Sequence, residues 1–216
     1  MAAPAGAGPQ KKSLRAAEQD RPDVKARRDA WHGDLAGADP HAIVFLDESG
    51  ARTDMTRTRG RAARGERVVE TVPAGRWKAT TMLAAVRTAG PLAGAVVAGA
   101  TDTDVFLAWV EHALVPHLRR GETVAMDNLS PHKNPRVREL VESAGCRLLY
   151  LPPYSPDFNP IEMIWSKIKR LLRSAAARSI DALHEAFGAA MAAVTPGDIL
   201  GCFRHCGYAT TSGAPL

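Results

Sequence analysis

Apolar residues after Pro160 recur with a helical beat. Ile161, Ile164, Trp165, Ile168, Leu171, Leu172 and Ala175 stand at offsets 0, 3, 4, 7, 10, 11 and 14, which predicts one buried helix face. Asn159 is suited to cap that helix, and Pro160 fits its first position, where a missing N–H costs nothing. Just upstream, Arg147–Leu151 is a short apolar run of strand type, closed by Pro152-Pro153 and the turn-forming Ser155-Pro156-Asp157. The segment therefore reads strand, rigid loop, helix.

The same reading extends along the chain. Ala42–Asp47 is a continuous apolar run, as in strands covered on both faces, and ends in the acid pair Asp47-Glu48. Lys78–Val86 and Ala93–Ala98 predict two more strands, with Gly90-Pro91 marking the turn between them. Thr101–His117 predicts a helix capped from Thr101 or Thr103, with Val105, Phe106, Trp109, Val110, Ala113 and Leu114 inward and Pro116 bending or ending it. Thr123–Met126 is a fourth core strand. Asn134-Pro135 opens a helix whose inward face is Val137, Leu140, Val141 and Ala144 and whose stop is Gly145. Further helix starts fall at Ser179, with Leu183, Phe187, Met191 and Val194 inward, and at Thr195-Pro196. Three adjacent strands, then helix, strand, helix, strand, helix, is the order of a mixed-sheet α/β domain with helices on both faces. A chain of 216 residues, 45% hydrophobic, suffices for one sizeable core.

Residues 1–40 lack that patterning. Met1–Pro9 is an Ala/Gly/Pro run expected to be disordered, and Lys11–Asp34 is charged, with a weak apolar face of Leu14, Val24 and Trp31. It reads as a linker or docking helix outside the core and shows no helix-turn-helix pattern. The domain is expected over residues 41–208, with 209–216 as a tail.

Three acids carry the candidate chemistry. Asp47 and Asp127 each close a buried strand, and Glu162 opens the helix after the last one; the carboxyl ends of neighbouring strands in such sheets form one rim. Each has a plainer reading. Glu162 three residues after Asn159 fits a capping box, and a strand-end Asp often starts a turn. Taken together, three carboxylates with no cationic partner in sequence repel one another and are tolerable only with cations. Hard oxygen ligands favour magnesium or manganese, and two such ions suit phosphodiester chemistry. Asn128 and His132 are expected to line the site. Ser130 beside His132 is a poor nucleophile pair, since Pro131 separates them and no oxyanion motif accompanies them.

Charge points the same way. Net charge is +5 and the pI about 9.4, which favours a polyanionic partner. Arg52–Arg67 holds six arginines against Asp54 and Glu66, and its Gly60 and Gly65 suggest a hairpin or mobile loop. Arg57, Arg59, Arg61 and Arg64 there, Lys133, and the helix residues Lys167, Lys169 and Arg170 are candidate DNA-phosphate contacts. Three cysteines, Cys146, Cys202 and Cys206, suit a reducing compartment as core thiols. The longest apolar stretch, Ala89–Ala100, is glycine-broken and too short to span a membrane, so a cytoplasmic protein is expected.

FLDESG around Asp47, MDNLSPHK around Asp127 and LPPYSPDFNPIEMIWSKIK around Glu162 resemble the catalytic domain of DDE transposases of the mariner superfamily, in particular the bacterial insertion-sequence (IS six-thirty) group. The 34 residues between Asp127 and Glu162 match that family's spacing of its last two acids. The resemblance runs from about Asp20 to Tyr208 and includes TRTRGRAARGERV, similar to the family's basic hairpin. It implies a ribonuclease-H-like fold and Asp47, Asp127 and Glu162 as ligands of two Mg2+ or Mn2+ ions, with Asp47 shared between them. It also implies cut-and-paste transposition of an element with terminal inverted repeats, usually into a TA target, by a homodimer in the synaptic complex, within the nucleoid-associated cytoplasm. Members of the family carry helix-turn-helix modules ahead of this domain, so the resemblance implies either a second reading frame joined to such a module by frameshifting or a truncated remnant that lacks it. Two other readings stay open on the sequence: a non-catalytic DNA-binding or dimerising fragment that regulates transposition, and another ribonuclease-H-like nuclease.

Overall fold

The computed structural model describes residues 15–35, 38–72, 75 and 77–208. The expected disordered start, Met1–Pro9, and the tail 209–216 lie outside the described residues.

Five strands, β1 (Ile43–Arg52), β2 (Ala79–Arg87), β3 (Gly90–Ala98), β4 (Thr123–Met126) and β5 (Arg147–Tyr150), form one sheet in the order β3-β2-β1-β4-β5. The first three make an antiparallel meander; β4 and β5 join it in parallel. Alternation along the strands divides the core in two. Phe45, Ala84 and Ala125 face α4 (Pro160–Ala175), α5 (Ile180–Ala192) and α6 (Pro196–His205) through Ile164, Phe187 and Phe203. Val44, Leu46 and Val124 face α2 (Thr103–Trp109) and α3 (Pro135–Ser143) through Phe106, Trp109 and Val137. Helices thus cover both faces of a mixed sheet, as the order of elements predicts.

β1 does not stop at Asp47. It runs on to Arg52 because β2 pairs with it from Phe45↔Val86 to Arg52↔Ala79, whereas β4 pairs only with Ile43–Phe45. Backbone pairing sustains a strand there after the apolar run has ended. The sheet therefore steps down at the carboxyl end of β4, and Asp47 stands on the overhang. Gly90 and Pro91, expected in the turn, instead begin β3; the turn is Thr88-Ala89. Proline is tolerated there because β3 is an edge strand, and the β2–β3 register shifts beside it.

Helix starts follow side-chain capping. Asn134 accepts from the Arg136 N–H, Ser179 from Ala182, and Thr195 with Asp198 forms a reciprocal capping box. The cap of α2 is Asp102, accepting from Val105, in place of either flanking threonine. Its helical turns continue as a π-turn, Val110–Leu114, and a 3-10 turn, Val115–His117. Pro116 accounts for the change, since it lacks an N–H and its ring crowds the carbonyl four residues back.

The N-terminal helix corrects the expectation of a helix outside the core. In α1 (Pro22–Asp34) and the residue after it, Val24, Trp31 and Leu35 are buried, and Trp31 and Leu35 join the α4-side cluster. Three apolar residues in a charged helix give a weak pattern, but spacings of seven and four put them on one stripe, and the tryptophan is large. Arg28 donates to both Asp157 carboxylate oxygens and to the Ser155 hydroxyl, and the Trp31 indole donates to the Tyr208 hydroxyl, which donates to the Phe158 carbonyl. α1 thereby braces the Pro152–Asn159 loop that leads into α4.

The β1–β2 connection is a long loop; no strand forms among its described residues 53–72, 75, 77 and 78, so the hairpin expected there is not made. Its neck is fastened. Thr53 and Lys78 exchange hydrogen bonds, and Arg178 donates to the Thr53 and Met55 carbonyls.

Trp31→Ala should lower the unfolding free energy by about 3–5 kcal/mol in denaturant titrations, the cost of emptying a buried aromatic site. Trp77→Ala, at a half-exposed ring stacked only on the Arg52 guanidinium, should cost no more than about 1 kcal/mol.

Candidate active site

Asp47, Asp127 and Glu162 line one cavity of about 600 Å3, together with Asn128, Lys133 and Asn159. Three elements deliver them. β1 overhangs the sheet at Asp47, β4 ends one residue before Asp127, and α4 starts two residues before Glu162. Asn159 precedes that helix but no side chain caps it, so Glu162 does not close the capping box that its spacing allows. Its half-exposed carboxylate is turned to the cavity.

Asp47 is only 7% exposed, and its Oδ2 accepts a 3.1 Å bond from the Trp165 indole N–H. Burial raises its pKa and the neighbouring Glu162 raises it further, with a smaller push from Asp127; together they outweigh the Glu48 backbone N–H and Trp165, and bring the group to about 7. Glu162 is also shifted up, by burial and by Asp127, against the pull of Lys169. These shifts are the electrostatic signature of carboxylates meeting without enough positive charge.

His132 is fully buried on the opposite side of the sheet from Trp165, 4.2 Å between ring centroids from Phe106. Its Nδ1 lies 2.5 Å from Asp127 Oδ1 and its Nε2 3.4 Å from Glu48 Oε1. Burial pulls the imidazole down, but the bonds to Asp127 and Glu48 prevail and push it up to about 9, so it holds its proton at neutral pH. The Asp127 Oδ1 also accepts from the Leu129 N–H, and the Tyr150 hydroxyl fixes the His132 carbonyl. His132 therefore braces Asp127 from behind, leaving Oδ2 toward the cavity. Strand alternation explains the division: Asp47 faces α4, and Glu48 faces the α2 side.

The donor set fits hard divalent cations. Two Asp, one Glu and the Asn159 amide oxygen, which is buried with no hydrogen-bond partner, offer oxygen ligands on one cavity wall. Among the described residues, no three His, Cys, Asp or Glu side chains stand close enough to clasp an ion as they are. The carboxylates share a cavity without converging on one point.

Of the other residues expected to act, Lys133 and Asn128 line the acid cavity, and Lys169 is near enough to act on Glu162. Arg57, Arg59, Arg61 and Arg64 are exposed on the β1–β2 loop and none lines that cavity, and Arg170 is exposed on α4. Lys167 departs from expectation. It faces α6 and forms an ion pair with Asp198, within that helix's capping box, so its ammonium is engaged in helix packing. The reason is its helical position, one residue before the buried Ile168. Cys146 and Cys206 are buried, and burial pushes the Cys206 thiol up to about 12.

Trp165 and Glu48 are the site residues that periodicity does not reveal. Trp165 reads as core from its spacing, and it is core; only the strand overhang brings its N–H to Asp47. Glu48 is visible as an acid but its partner lies 84 positions away.

Sheet order, two covered faces and acids at the strand ends define a ribonuclease-H-like domain. The chain belongs to the DDE superfamily endonuclease family, whose model matches residues 42–184. No curated protein matches the sequence. Solved structures with the same fold include a Mos1 transposase paired-end complex with left transposon end, at TM-score 0.74 and 16% identity, over 94% of this chain and 64% of that one. A Mos1 mariner paired end complex with Mn superposes at TM-score 0.71 and 17% identity, over 93% and 64% of the two chains. The catalytic domain of Mos1 mariner transposase alone gives 0.60 and 16%, over 93% and 98%. The chain thus spans about two thirds of the longer Mos1 chains and nearly all of their catalytic domain.

Asp47 supplies a stability prediction with a definite sign. Its folded pKa of about 7 exceeds the ordinary 3.8, so the folded state binds the proton more tightly, and this contribution is lost as pH rises from about 4 through 7. By pH 8, metal-free wild type should be less stable than Asp47→Asn by at most roughly 4 kcal/mol, with little difference below pH 4. Thermal melts of both proteins across pH check this, and addition of Mn2+ should stabilise wild type more at pH 8 than at pH 5, since metal binding displaces the proton.

Proposed function

We propose that this chain is the catalytic domain of a mariner-type transposase of a bacterial insertion sequence. In this reading it cuts DNA strands at the element's terminal inverted repeats and joins the freed ends to target DNA, at TA in keeping with the sequence resemblance. The observation that carries the proposal is the meeting of Asp47, Asp127 and Glu162 in one cavity, with the buried Asp47 raised to about 7 by its surroundings. Membership of an endonuclease family and a fold shared with transposase catalytic domains support it.

Asp47, Asp127 and Glu162 would hold two Mg2+ or Mn2+ ions, with Asp47 common to both; one related Mos1 structure was determined with Mn. Such ions, when bound, activate an attacking oxygen and neutralise the charge on the departing 3′ oxygen. The protein's part is placement. The Trp165 indole and the Glu48 backbone N–H hold the Asp47 carboxylate, while His132 and the Leu129 N–H hold Asp127 from behind. Lys133 stands at the cavity wall, where it can meet the phosphate, and the exposed arginines of the β1–β2 loop can meet DNA farther out. End recognition would come from a helix-turn-helix module joined to this domain, and synapsis from a homodimer, in the nucleoid region of the cytoplasm.

Strand cleavage of DNA carrying the terminal repeats of the neighbouring element, with Mg2+ or Mn2+ against chelator, tests the proposal. Cutting should require the metal. Asp127→Asn should lower it by about 10^3-fold or more, while leaving the fold and salt-dependent DNA binding in place. Undiminished cutting by that variant, or by wild type in excess chelator, would refute the assignment.

A further inference from the structure

A second cavity, of about 800 Å3, adjoins the acid cavity and has Arg27, Asn128 and Lys133 in the shared wall. It lies between α1 and α3. Its inner surface includes Trp31, Tyr150, Leu151 and Pro152, and Arg138 stands over the Tyr150 ring at 5.7 Å from its centroid. Two kinds of surface are therefore side by side: basic side chains at the junction with the acids, and an aromatic and proline-lined floor behind them.

The charges sort by whether they are already paired. Arg138 is paired with Glu142, and the Glu139 of the same wall with Arg136. Among the described residues the exposed Arg27 and Lys133 form no ion pair, whereas Arg21 of the acid cavity is paired with Asp23, so Arg27 and Lys133 are the cations of the shared wall that keep their charge for a ligand. Asp34 adds a hydrogen-bond acceptor to the rim.

A volume of this size suits one or two nucleotides and is far too small for a duplex. Basic groups that track a backbone beside an aromatic platform are what single-stranded nucleic acid requires, because every base has a face that stacks. We propose that this cavity is a subsite for an unpaired nucleotide next to the phosphate that is cut. Arg27 and Lys133 grip its backbone, and its base stacks on Tyr150 in place of the Arg138 guanidinium. The inference rests on the DNA-cleaving reading above and adds to it that strand separation beside the cut is part of substrate binding. It also gives α1, which lies outside the matched family region of residues 42–184, a direct share in the substrate site.

The test compares a blunt DNA duplex with the same duplex carrying a short single-stranded overhang that contains 2-aminopurine, using the full chain. The overhang should raise affinity roughly 5- to 100-fold and quench the 2-aminopurine emission. Tyr150→Leu should abolish both the quench and the preference, and Tyr150→Phe, which keeps the ring, should retain them. Arg27→Ala should flatten the salt dependence of overhang binding by about one unit of slope while leaving blunt-duplex binding unchanged, whereas Lys133→Ala, at the acid-cavity wall where the cut phosphate is met, should flatten it for both probes. Equal, salt-dependent binding of the two probes, or a Tyr150→Leu protein that melts like wild type yet keeps the preference, would overturn the subsite and leave the DNA reading standing. Failure of both probes to bind, together with failure to cut, would overturn the DNA reading itself.

Discussion

One carboxylate in the wrong solvent governs this structure. Asp47 is nearly buried and faces two other acids, and no cation of the protein is hydrogen-bonded to it. The fold holds it there through the length of β1, whose pairing with β2 outlasts its pairing with β4. Every other device at the rim serves the same end. The Trp165 N–H gives the buried carboxylate one neutral donor, and His132 ties Asp127 to the back of the sheet. The Arg28–Asp157 pair and the Tyr208 hydroxyl steady the loop that sets the start of α4. The neutral donors on Asp47 leave its excess negative charge in place, and that excess is what a hard cation answers.

Much of this was legible in the sequence because local patterning and tertiary structure agree. The face of α4, the apolar β1 and β4, and the stops at Pro116 and Gly145 all follow from periodicity and backbone chemistry, and the helices carry the expected caps at Asn134, Ser179 and Thr195. The three acids were visible as well, since Asp47 and Asp127 sit where an apolar run gives out and Glu162 where the last long helix begins. What could not be seen depends on partners far away in the chain. The extension of β1 to Arg52 is a property of β2, and the burial of Trp31 is a property of Tyr208 and α4. Lys167 shows the converse error: its charge suggested a ligand, but its place on the helix turns it to Asp198.

The two faces of the sheet contribute differently to the rim. The α4 side gives Asp47, Trp165 and Glu162, held by packing against a long helix with a continuous apolar stripe. The α2 side gives His132 and Glu48, held by hydrogen bonds beneath Phe106. Asp127 lies between them: His132 holds it from the α2 side, and its charge acts on Asp47 and Glu162.

The adjacency of Asp47 and Glu48 also bears on assembly of the protein. Because neighbouring strand residues point to opposite faces, a slip of β1 by one position would turn Asp47 away from the α4 side and Glu48 away from the α2 side, so the Trp165 and His132 contacts could not both form. Val44 and Phe45 would change layers at the same time. A mis-threaded sheet would thus lose its chemistry along with its packing. A chain settled into the wrong alignment is therefore also a chain without its rim of three acids.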